Sequence, residues 1–497
     1  MGVAVVTAGV IVACSSDPQV TVERADPVAV SAATTTEAPP PGSPPEYTAP
    51  PTTGPVTLGS GDGVGDELFP ELGNPGIDVT DYVVELSYDP ELDSIEGTVT
   101  LSVLPLEDRA ELTLDAVGLE IDEVRVGGDP AEFRVEPTEL RIWPSRPLRA
   151  STAVTVEVSY SGAPDAELSA AGVPNGWHHT ARGSHVLNEP DGLRTWMPAN
   201  DHPSDKATFT FSVAVPAGLA AVANGDLVSR VPSGSTTTWT WRQDEPMSTY
   251  LVLLLTGDYV LVEGKSLGGV ELLSAVLRSD RAAVQPYLDT IGEQIVFFES
   301  WFGPYPLDGY GLAITDSSAG LAMETQGRSL FSRDDFGGGE LGYLQDLLLA
   351  HELAHQWFGN AVSPARWQDI WLNESFATYA QWMWLDEVGY TTVQDEAEAA
   401  LGLRSMIGGS PTGSPEVDEL FSFNSYEGGA VVLHALRAEV GDAVFFELLR
   451  RWVADNDGTA RTTDDFIALA AEVTGEELEA FFDEWLFADE LPPTFPS

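Results

Sequence analysis

Two histidines and a later glutamate have the residue types and the spacing of a metal centre. His351 and His355 open and close the motif HELAH, and Glu374 follows after eighteen intervening residues. The proline-free segment 341–358 predicts one buried helix, and 372–388 predicts a second helix with Glu374 in its first turn. Because residues i and i+4 share a helix face, both imidazoles can reach one divalent cation, with Glu374 as the third ligand. Two histidines and a carboxylate, with a fourth position left to water, are typical of catalytic zinc.

Glu352 lies between the two histidines in sequence but is turned away from the face that carries them. A carboxylate in this place can take a proton from water at the metal, which predicts the role of general base. The alternative is a chance motif, with the histidines buried in a core and Glu352 in solvent. The chain has only seven histidines and places two of them at this spacing, ahead of an Asn373-Glu374 pair, which favours the metal site.

Other polar residues near the motif, or of a ligating type, have no assigned role. Asp369 either supports a metal ligand or caps the helix that carries Glu374. The five remaining histidines have no partner at ligand spacing, and we interpret them as structural or surface residues: His178, His179, His185, His202 and His434.

The elements that must position these residues begin with a β-rich region. Apolar and polar residues alternate with period two in 83–88, 97–103, 153–158 and 208–213, and Gly, Pro and Asp turns separate these stretches. The pattern predicts an N-terminal all-β domain over 69–263.

The second half of the chain has a mixed pattern. It predicts a helix over 282–302, a short strand over 310–315, and mainly helices from 341 to 486. We therefore predict a multidomain protein in which an α/β catalytic domain with a helical C-terminal part occupies 264–497.

The first residues resemble a lipoprotein signal. Residues 3–13 form an apolar run that is too short to span a bilayer and suits the centre of a secretory signal, although no basic residue precedes it. The run ends in Ile-Val-Ala-Cys-Ser, which resembles a bacterial lipobox, so Cys14 is the predicted acylation site. A spare buried thiol is the alternative. Cys14 is the only cysteine, so the chain cannot form an internal disulfide.

A signal peptide over 1–14 is followed by a segment rich in Pro, Thr, Ser and Gly. Residues 15–68 bury too little apolar surface to order themselves, which predicts an extended linker. Together these segments predict an enzyme that is secreted across the cytoplasmic membrane and lipid-anchored on its outer face.

The charge of the chain excludes one class of partner. Its 78 acidic residues against 23 basic ones give a formal net charge of −55. Such a balance argues against nucleic-acid binding and predicts a solvated acidic surface. The apolar fraction of 43% is ample for sizeable cores.

Four motifs in one order resemble the M1 family of zinc aminopeptidases, the gluzincins related to aminopeptidase N and leukotriene A4 hydrolase. The resemblance covers about 73–487. The first motif is HExxH with the later glutamate in WQDIWLNE. Ala-Met-Glu at 322–324 resembles the core of the family's exopeptidase motif GxMEN, and Tyr-Glu-Gly-Gly at 426–429 resembles its YEKG motif. The stretch 189–209 resembles the end of the family's N-terminal domain. The resemblance implies a saddle-like β domain followed by a thermolysin-like catalytic domain, with one Zn2+ per chain.

The resemblance also implies roles for further residues. Glu324 and Glu189 would bind the free α-ammonium of a peptide substrate, which limits cleavage to the first peptide bond. Tyr426 would donate a hydrogen bond to the oxyanion of the tetrahedral intermediate, with packing at a helix start as the alternative. Zinc held by His351, His355 and Glu374, the same residues that the spacing selects, would complete a metallo-aminopeptidase that releases one amino acid at a time.

Three positions depart from the family motifs. Leu321 replaces the first glycine of GxMEN, Thr325 replaces its asparagine, and Gly428 replaces the lysine of YEKG. The chain ends soon after a predicted helix over 476–487, so we expect neither the long helical C-terminal domain of larger members nor the lid that it provides.

Two other functions stay open on the sequence. One is a zinc hydrolase of the same fold with endopeptidase or epoxide hydrolase activity. The other is a non-catalytic surface lipoprotein that uses the fold for binding, which would need neither Glu352 as a base nor Tyr426 as an oxyanion donor.

Overall fold

The computed structural model describes residues 63–318, 321–336 and 342–496. Cys14, the predicted signal peptide and most of the predicted linker lie outside these residues. The linker predicted over 15–68 overlaps the folded part at its end, because Asp66 is buried and accepts hydrogen bonds from the backbone N–H groups of Phe69 and Trp367. None of the helices in the described part is both long and apolar enough to cross a membrane.

The first half of the described chain is built from β-strands, as predicted. The long strand β1 shows the reason, because Tyr82, Val84 and Leu86 point into the core while the residues between them are more exposed. The strands are β1 (Ile77–Asp89), β2 (Ser94–Pro105), β3 (Leu112–Asp115), β4 (Glu120–Val126), β5 (Asp129–Pro130), β6 (Glu132–Val135), β7 (Glu139–Trp143), β8 (Val154–Gly162), β9 (Ala166–Leu168), β10 (Pro174–Thr180), β11 (Gly183–Leu187), β12 (Ala207–Pro216), β13 (Ala220–Ala223), β14 (Asp226–Ser233), β15 (Thr236–Met247) and β16 (Leu254–Gly257).

These strands form three sheets within the described residues. The largest has the order β14-β15-β12-β1-β2-β8-β4-β5, and its pairs are antiparallel except for the parallel pair β1 and β12. A second sheet has the order β13-β16-β11-β10-β9, and a third has β3-β7-β6. In the second sheet, strand β11 ends at Leu187, two residues before Glu189.

The second half combines a mixed sheet with helices. Its sheet has the order β17-β18-β20-β21, with β19 beside β18, and the boundary predicted between 263 and 264 falls inside β17. The remaining strands are β17 (Tyr259–Lys265), β18 (Glu271–Leu277), β19 (Gly309–Tyr310), β20 (Leu312–Thr315), β21 (Ser329–Ser332), β22 (Val362–Pro364) and β23 (Thr459–Arg461), and the helices are α1 (Gln285–Phe302), α2 (Tyr343–Ala354), α3 (Trp371–Glu387), α4 (Val393–Ile407), α5 (Gly429–Val440), α6 (Asp442–Asn456), α7 (Thr463–Thr474) and α8 (Glu479–Trp485).

One of the two apolar clusters in the described residues spans both halves of the chain. Trp367 and Ile370, which precede α3, pack in the same buried cluster as the β-domain strands. Tyr250 of the β domain meets Trp367 edge to face, with ring centroids 5.3 Å apart. A continuous core of this kind holds the edge of the β domain against the catalytic helices.

The helix predicted over 341–358 is shorter in the structure. Helix α2 ends at Ala354, and the N–H groups of Gln356 and Trp357 then bond three residues back, which tightens the chain into a turn. Gly359 follows with φ +123, a backbone conformation that favours glycine. The predicted helices at 282–302 and 476–487 are likewise shorter, at Gln285–Phe302 and Glu479–Trp485.

Candidate metal centre and active site

The three predicted ligands meet at one point. The Nε2 atoms of His351 and His355 lie 3.1 Å apart, and the Glu374 carboxylate oxygen Oε2 lies 3.2 Å from the first and 3.4 Å from the second. Helix α2 carries His351, the first residue past its end is His355, and Glu374 is in the first turn of α3. All three side chains are buried, and their ligating atoms could hold one metal ion.

The Nδ1 atom of each histidine faces a hydrogen-bond acceptor. Nδ1 of His351 lies 2.9 Å from Oε1 of Gln381, and Nδ1 of His355 lies 3.1 Å from the Phe358 carbonyl oxygen. An acceptor at Nδ1 places the proton there and leaves the Nε2 lone pair free for a metal. The sequence analysis missed Gln381, although it lies seven residues after Glu374 and therefore on the same face of α3.

Charge at the cluster also favours a cation. Burial lowers the pKa of His351. Burial alone would lower that of His355 as well, but the carboxylates of Glu324 and Glu374 raise it to about 10. The carboxylates therefore favour positive charge at this place. A divalent cation supplies that charge better than a proton, because the cation can contact the Nε2 atoms of both histidines and the Glu374 carboxylate oxygen together.

Glu352 is buried beside the ligands but is not one of the convergent three. Its carboxylate lies within 4.8 Å of a ring nitrogen of His355 and a carboxylate oxygen of Glu324. Burial, with Glu324 and Glu374 nearby, raises its pKa well above the ordinary value despite the opposing effect of His355. A carboxylate with a raised pKa is a stronger base than one in solvent, which suits a residue that takes a proton from water.

Glu324 and Glu189 come together from the two halves of the chain. Their carboxylates and that of Glu374 lie within 4.8 Å of one another. The Glu324 backbone is fixed by the side-chain amides of Asn360 and Gln356, which donate to its carbonyl oxygen at 2.6 and 3.2 Å. In the described structure neither Oε1 of Glu189 nor Oε1 of Glu324 has a hydrogen-bond partner.

The pKa values of this pair reflect their crowding. Burial raises the pKa of Glu324 to about 7, and burial together with the Glu324 charge raises that of Glu189 well above its usual range. A bound cation stabilises the charged form of carboxylates whose pKa values are raised in this way.

Tyr426 lies in a π-helical turn, Asn424–Gly428, directly before α5. Its ring is nearly parallel to that of His351, at 19°, with centroids 5.9 Å apart. Burial, followed by the Glu374 charge, raises the pKa of its hydroxyl well above 10, so the group stays protonated and can donate a hydrogen bond. Single π-helical turns are frequent at functional sites.

Tyr250, which the sequence analysis did not select, links the β domain to this cluster. Its hydroxyl donates to the Gly359 carbonyl oxygen at 3.3 Å and accepts from the side-chain amide of Asn373 at 2.9 Å. A Cβ atom at Gly359 would lie 3.2 Å from Asn373 and 3.4 Å from Nδ1 of His355. Tyr250 thus contacts Asn373, which precedes the ligand Glu374, and the turn at Gly359, which follows the ligand His355.

Asp369 has neither of the two roles considered for it. Its Oδ1 accepts from the backbone N–H and the hydroxyl of Thr463, and its carboxylate also pairs with Arg366. It therefore holds the first residue of α7 against the turn that precedes α3. The five other histidines join no group of metal-ligating residues in the described part of the chain, consistent with their interpretation.

Two of the departures from the family motifs are accommodated locally. Thr325 is buried, and its hydroxyl donates to the Arg328 carbonyl oxygen, which closes the turn after Glu324. Gly428 lies against Asn424 and Thr412, where a Cβ atom would come within 3.3 Å of both. Neither position touches the three metal ligands.

Comparison with known proteins agrees with this arrangement. The model of the peptidase family M1 domain matches residues 287–485, and that of the M1 N-terminal domain matches 79–251. A crystal structure of a variant M1 zinc metallopeptidase from Deinococcus radiodurans, bound to a Tyr-Ser-Ala substrate, is 31% identical with a TM-score of 0.81, over 88% of this chain and 99% of that one. The chain belongs to peptidase family M1. Its metal is zinc, and the donor set of two neutral imidazoles and a carboxylate fits that ion.

Curated relatives are longer than this chain. Probable aminopeptidase 1 of Sulfurisphaera tokodaii is 27% identical over 76% of this chain and 49% of its own length, and leucyl aminopeptidase of Saccharolobus solfataricus is 26% identical over 76% and 50%. The chain thus spans about half the length of the curated relatives it matches. A crystal structure described as a two-domain M1 zinc metallopeptidase is 31% identical, with a TM-score of 0.80, over 88% of this chain and 99% of that one.

Proposed function

We propose that this protein is a zinc-dependent aminopeptidase that removes the N-terminal residue of peptides. The observation that carries the proposal is the pair of the half-buried Glu189 and the buried Glu324, each with a buried Oε1 that has no hydrogen-bond partner, next to the metal ligand Glu374. A peptide amide beside the metal would have its free α-ammonium within reach of both carboxylates. An ammonium drawn from water into a buried site needs charged acceptors, and this pair supplies them.

The same geometry disfavours the alternatives. An endopeptidase must admit a chain on both sides of the scissile bond, whereas the Glu189 and Glu324 carboxylates would be left crowded and unpaired by an uncharged peptide segment. A binding protein without catalysis has no use for a buried base at Glu352. The substrate of the Deinococcus metallopeptidase variant, Tyr-Ser-Ala, is a short peptide of the class proposed here.

The proposed mechanism assigns one role to each side chain. His351, His355 and Glu374 would hold the zinc, which when bound supplies a Lewis acid for the carbonyl and for water. Glu352 would take the proton from the attacking water and return it to the leaving amine, in line with its raised pKa. Tyr426 would donate its hydroxyl proton in a hydrogen bond to the developing oxyanion.

A substrate panel tests this function. Purified protein would be assayed on aminoacyl fluorogenic substrates with free and with N-acetylated amines, with and without a zinc chelator. Cleavage of the free-amine set alone, lost with the chelator and restored by zinc, is the expected result. Cleavage of acetylated substrates would favour an endopeptidase, and no cleavage by protein with stoichiometric zinc would favour a binding role.

We further propose that the protein is exported and anchored to the outer face of the cytoplasmic membrane through Cys14. The apolar run before this residue, its lipobox-like context and the polar stretch behind it support the proposal. Full-length protein expressed in a bacterium should label with a palmitate analogue and partition into detergent, and Cys14→Ser should abolish both. Equal labelling of the two forms would contradict lipidation at this residue.

A further inference from the structure

One hydroxyl joins the metal-ligand helix to the turn that carries Tyr426. Ser375 directly follows the ligand Glu374 on α3, and its Oγ donates to the Ser425 carbonyl oxygen at 2.6 Å. Ser425 directly precedes Tyr426. Both serines are buried, with exposed fractions of 0% and 1%. The hydrogen bond therefore connects the residue after the metal ligand Glu374 to the residue before Tyr426, the predicted oxyanion donor.

The π-helical turn needs partners from outside itself. Its N–H at Gly428 bonds back to the Phe423 carbonyl oxygen at 2.9 Å, and the carbonyl oxygens of Asn424 and Ser425 accept side-chain hydroxyls from other segments. The hydroxyl at Asn424 comes from Thr412, at 2.8 Å. Buried carbonyl groups that lack a partner destabilise the conformation that buries them, so these hydroxyls stabilise the π-helical turn.

Gly429 supplies the room for this contact. A Cβ atom there would lie 1.8 Å from Oγ and 2.6 Å from Cβ of Ser375. The backbone at Gly429 has an ordinary helical conformation, with φ −76. Glycine is therefore required at position 429 because Ser375 approaches closely, and not because of backbone strain.

We propose that Ser375 is a positioning residue for Tyr426, and the proposal rests on the peptidase function given above. Ser375 holds the turn 424–428 at a set distance from α3, so the Tyr426 hydroxyl stays aligned with the place where the oxyanion forms. The residue touches neither substrate nor metal through its own side chain. Its loss would shift the donor, and a displacement of about 1 Å at a catalytic group can lower the rate by about 100-fold.

Ser375→Ala tests the proposal in two backgrounds. In the full-length protein it should lower kcat by about 10-fold or more, with little change in KM and with zinc content and zinc affinity unchanged. In a Tyr426→Phe background, which lacks the hydroxyl that Ser375 positions, the same change should have little further effect on kcat. A role in general stability would lower activity in both backgrounds, so the double-mutant cycle separates the two.

Further variants keep the test decisive. Ser375→Cys retains a weaker donor of similar size and should restore part of kcat, and it replaces the alanine variant if that variant does not fold. Gly429→Ala should lower kcat in the same way, because the new methyl group displaces the hydroxyl. Ser184→Ala is the matched control, since its hydroxyl is buried in the β domain and bonds Thr256 at 2.8 Å, and it should leave kcat unchanged.

Each result has a distinct meaning. Weakened zinc binding in Ser375→Ala would show that the residue acts on Glu374, and equal rate losses in both backgrounds would show a structural role; either would overturn the proposal. An unchanged rate in Ser375→Ala, with an active wild type, would overturn the role of Ser375 alone. A wild type with bound zinc that cleaves no free-amine peptide would overturn the peptidase function and this proposal together.

Discussion

Gln381 and His351 form a buried pair in which the glutamine Oε1 lies 2.9 Å from Nδ1 of the ligand. The glutamine stands on the same helix as the third ligand, so α3 contributes both a metal donor and the acceptor that orients another donor. Such supporting contacts keep the Nε2 lone pair directed at the metal.

Gln381→Leu should weaken zinc binding by about 10- to 100-fold, because the imidazole of His351 loses its orienting acceptor. Zinc affinity would be measured by competition with a chelator of known affinity. Gln394→Leu is the matched control, since Gln394 Oε1 lies 3.1 Å from Nε2 of His434, away from the metal ligands. Equal losses of affinity in both variants would argue against a specific role for Gln381.

Glu352→Gln should retain stoichiometric zinc and lose at least about 100-fold in kcat, because an amide cannot take up the proton that general base catalysis requires. Zinc would be quantified by elemental analysis of the protein used for the assay. Undiminished turnover in this variant would remove Glu352 from the mechanism.

Glu324→Ala should lower kcat/KM for free-amine substrates by about 10- to 100-fold, in line with about 1.5–3 kcal/mol for a hydrogen bond to a charged group. Discrimination against N-acetylated substrates should fall as well, because the remaining Glu189 holds the ammonium alone. The exposed Glu91 serves as control, and Glu91→Ala should change neither quantity. Unaltered discrimination in Glu324→Ala would contradict ammonium binding at this residue.

Tyr250→Phe should speed zinc loss and lower the free energy of unfolding by about 1–3 kcal/mol, because Asn373 and the turn at Gly359 lose a buried partner. Zinc release to a chromogenic chelator and urea unfolding would measure the two effects. Tyr259→Phe removes a hydroxyl that bonds Thr315 at 3.2 Å, and it should affect stability but not zinc release. Similar zinc release from both variants would contradict the proposed link.

We expect acid to destabilise the protein in part through His185. Burial lowers its pKa to about 3, from an ordinary value of 6.5, and its ring stacks on His178 with centroids 5.1 Å apart. Between pH 6.5 and 3 the unfolded chain binds a proton at this residue that the folded protein does not, so stability is fully present above pH 6.5 and falls on acidification.

His185→Phe keeps the stacked ring and removes the titration. The free energy of unfolding of this variant, measured with urea between pH 7.5 and 5, should fall less steeply on acidification than that of wild type. The two slopes should differ by at most about 1.4 kcal/mol per pH unit. Identical pH slopes for the two proteins would show that His185 is protonated equally in the folded and unfolded states.

Local spacing was sufficient to predict that His351 and His355 face one point, and it predicted much of the fold class. His351 in α2 and His355, the helical residue that caps it, are four residues apart, and that separation gives a shared face whatever surrounds it. The alternation in β1 likewise predicts a half-buried strand without reference to its neighbours. Helix ends were predicted less well, because the turn after Ala354 depends on bonds three residues back and on the conformation of Gly359.

Tertiary structure alone decided which distant residues complete the site. Glu189 lies in the β domain and Glu324 in the catalytic half, and only the shared core of the two halves brings their carboxylates together. The contacts of Gln381, Tyr250 and Ser375 depend in the same way on the packing of whole elements. Sequence carries the periodicity of a single helix or strand, whereas the approach of two elements follows from the shapes and volumes of all the side chains packed between them.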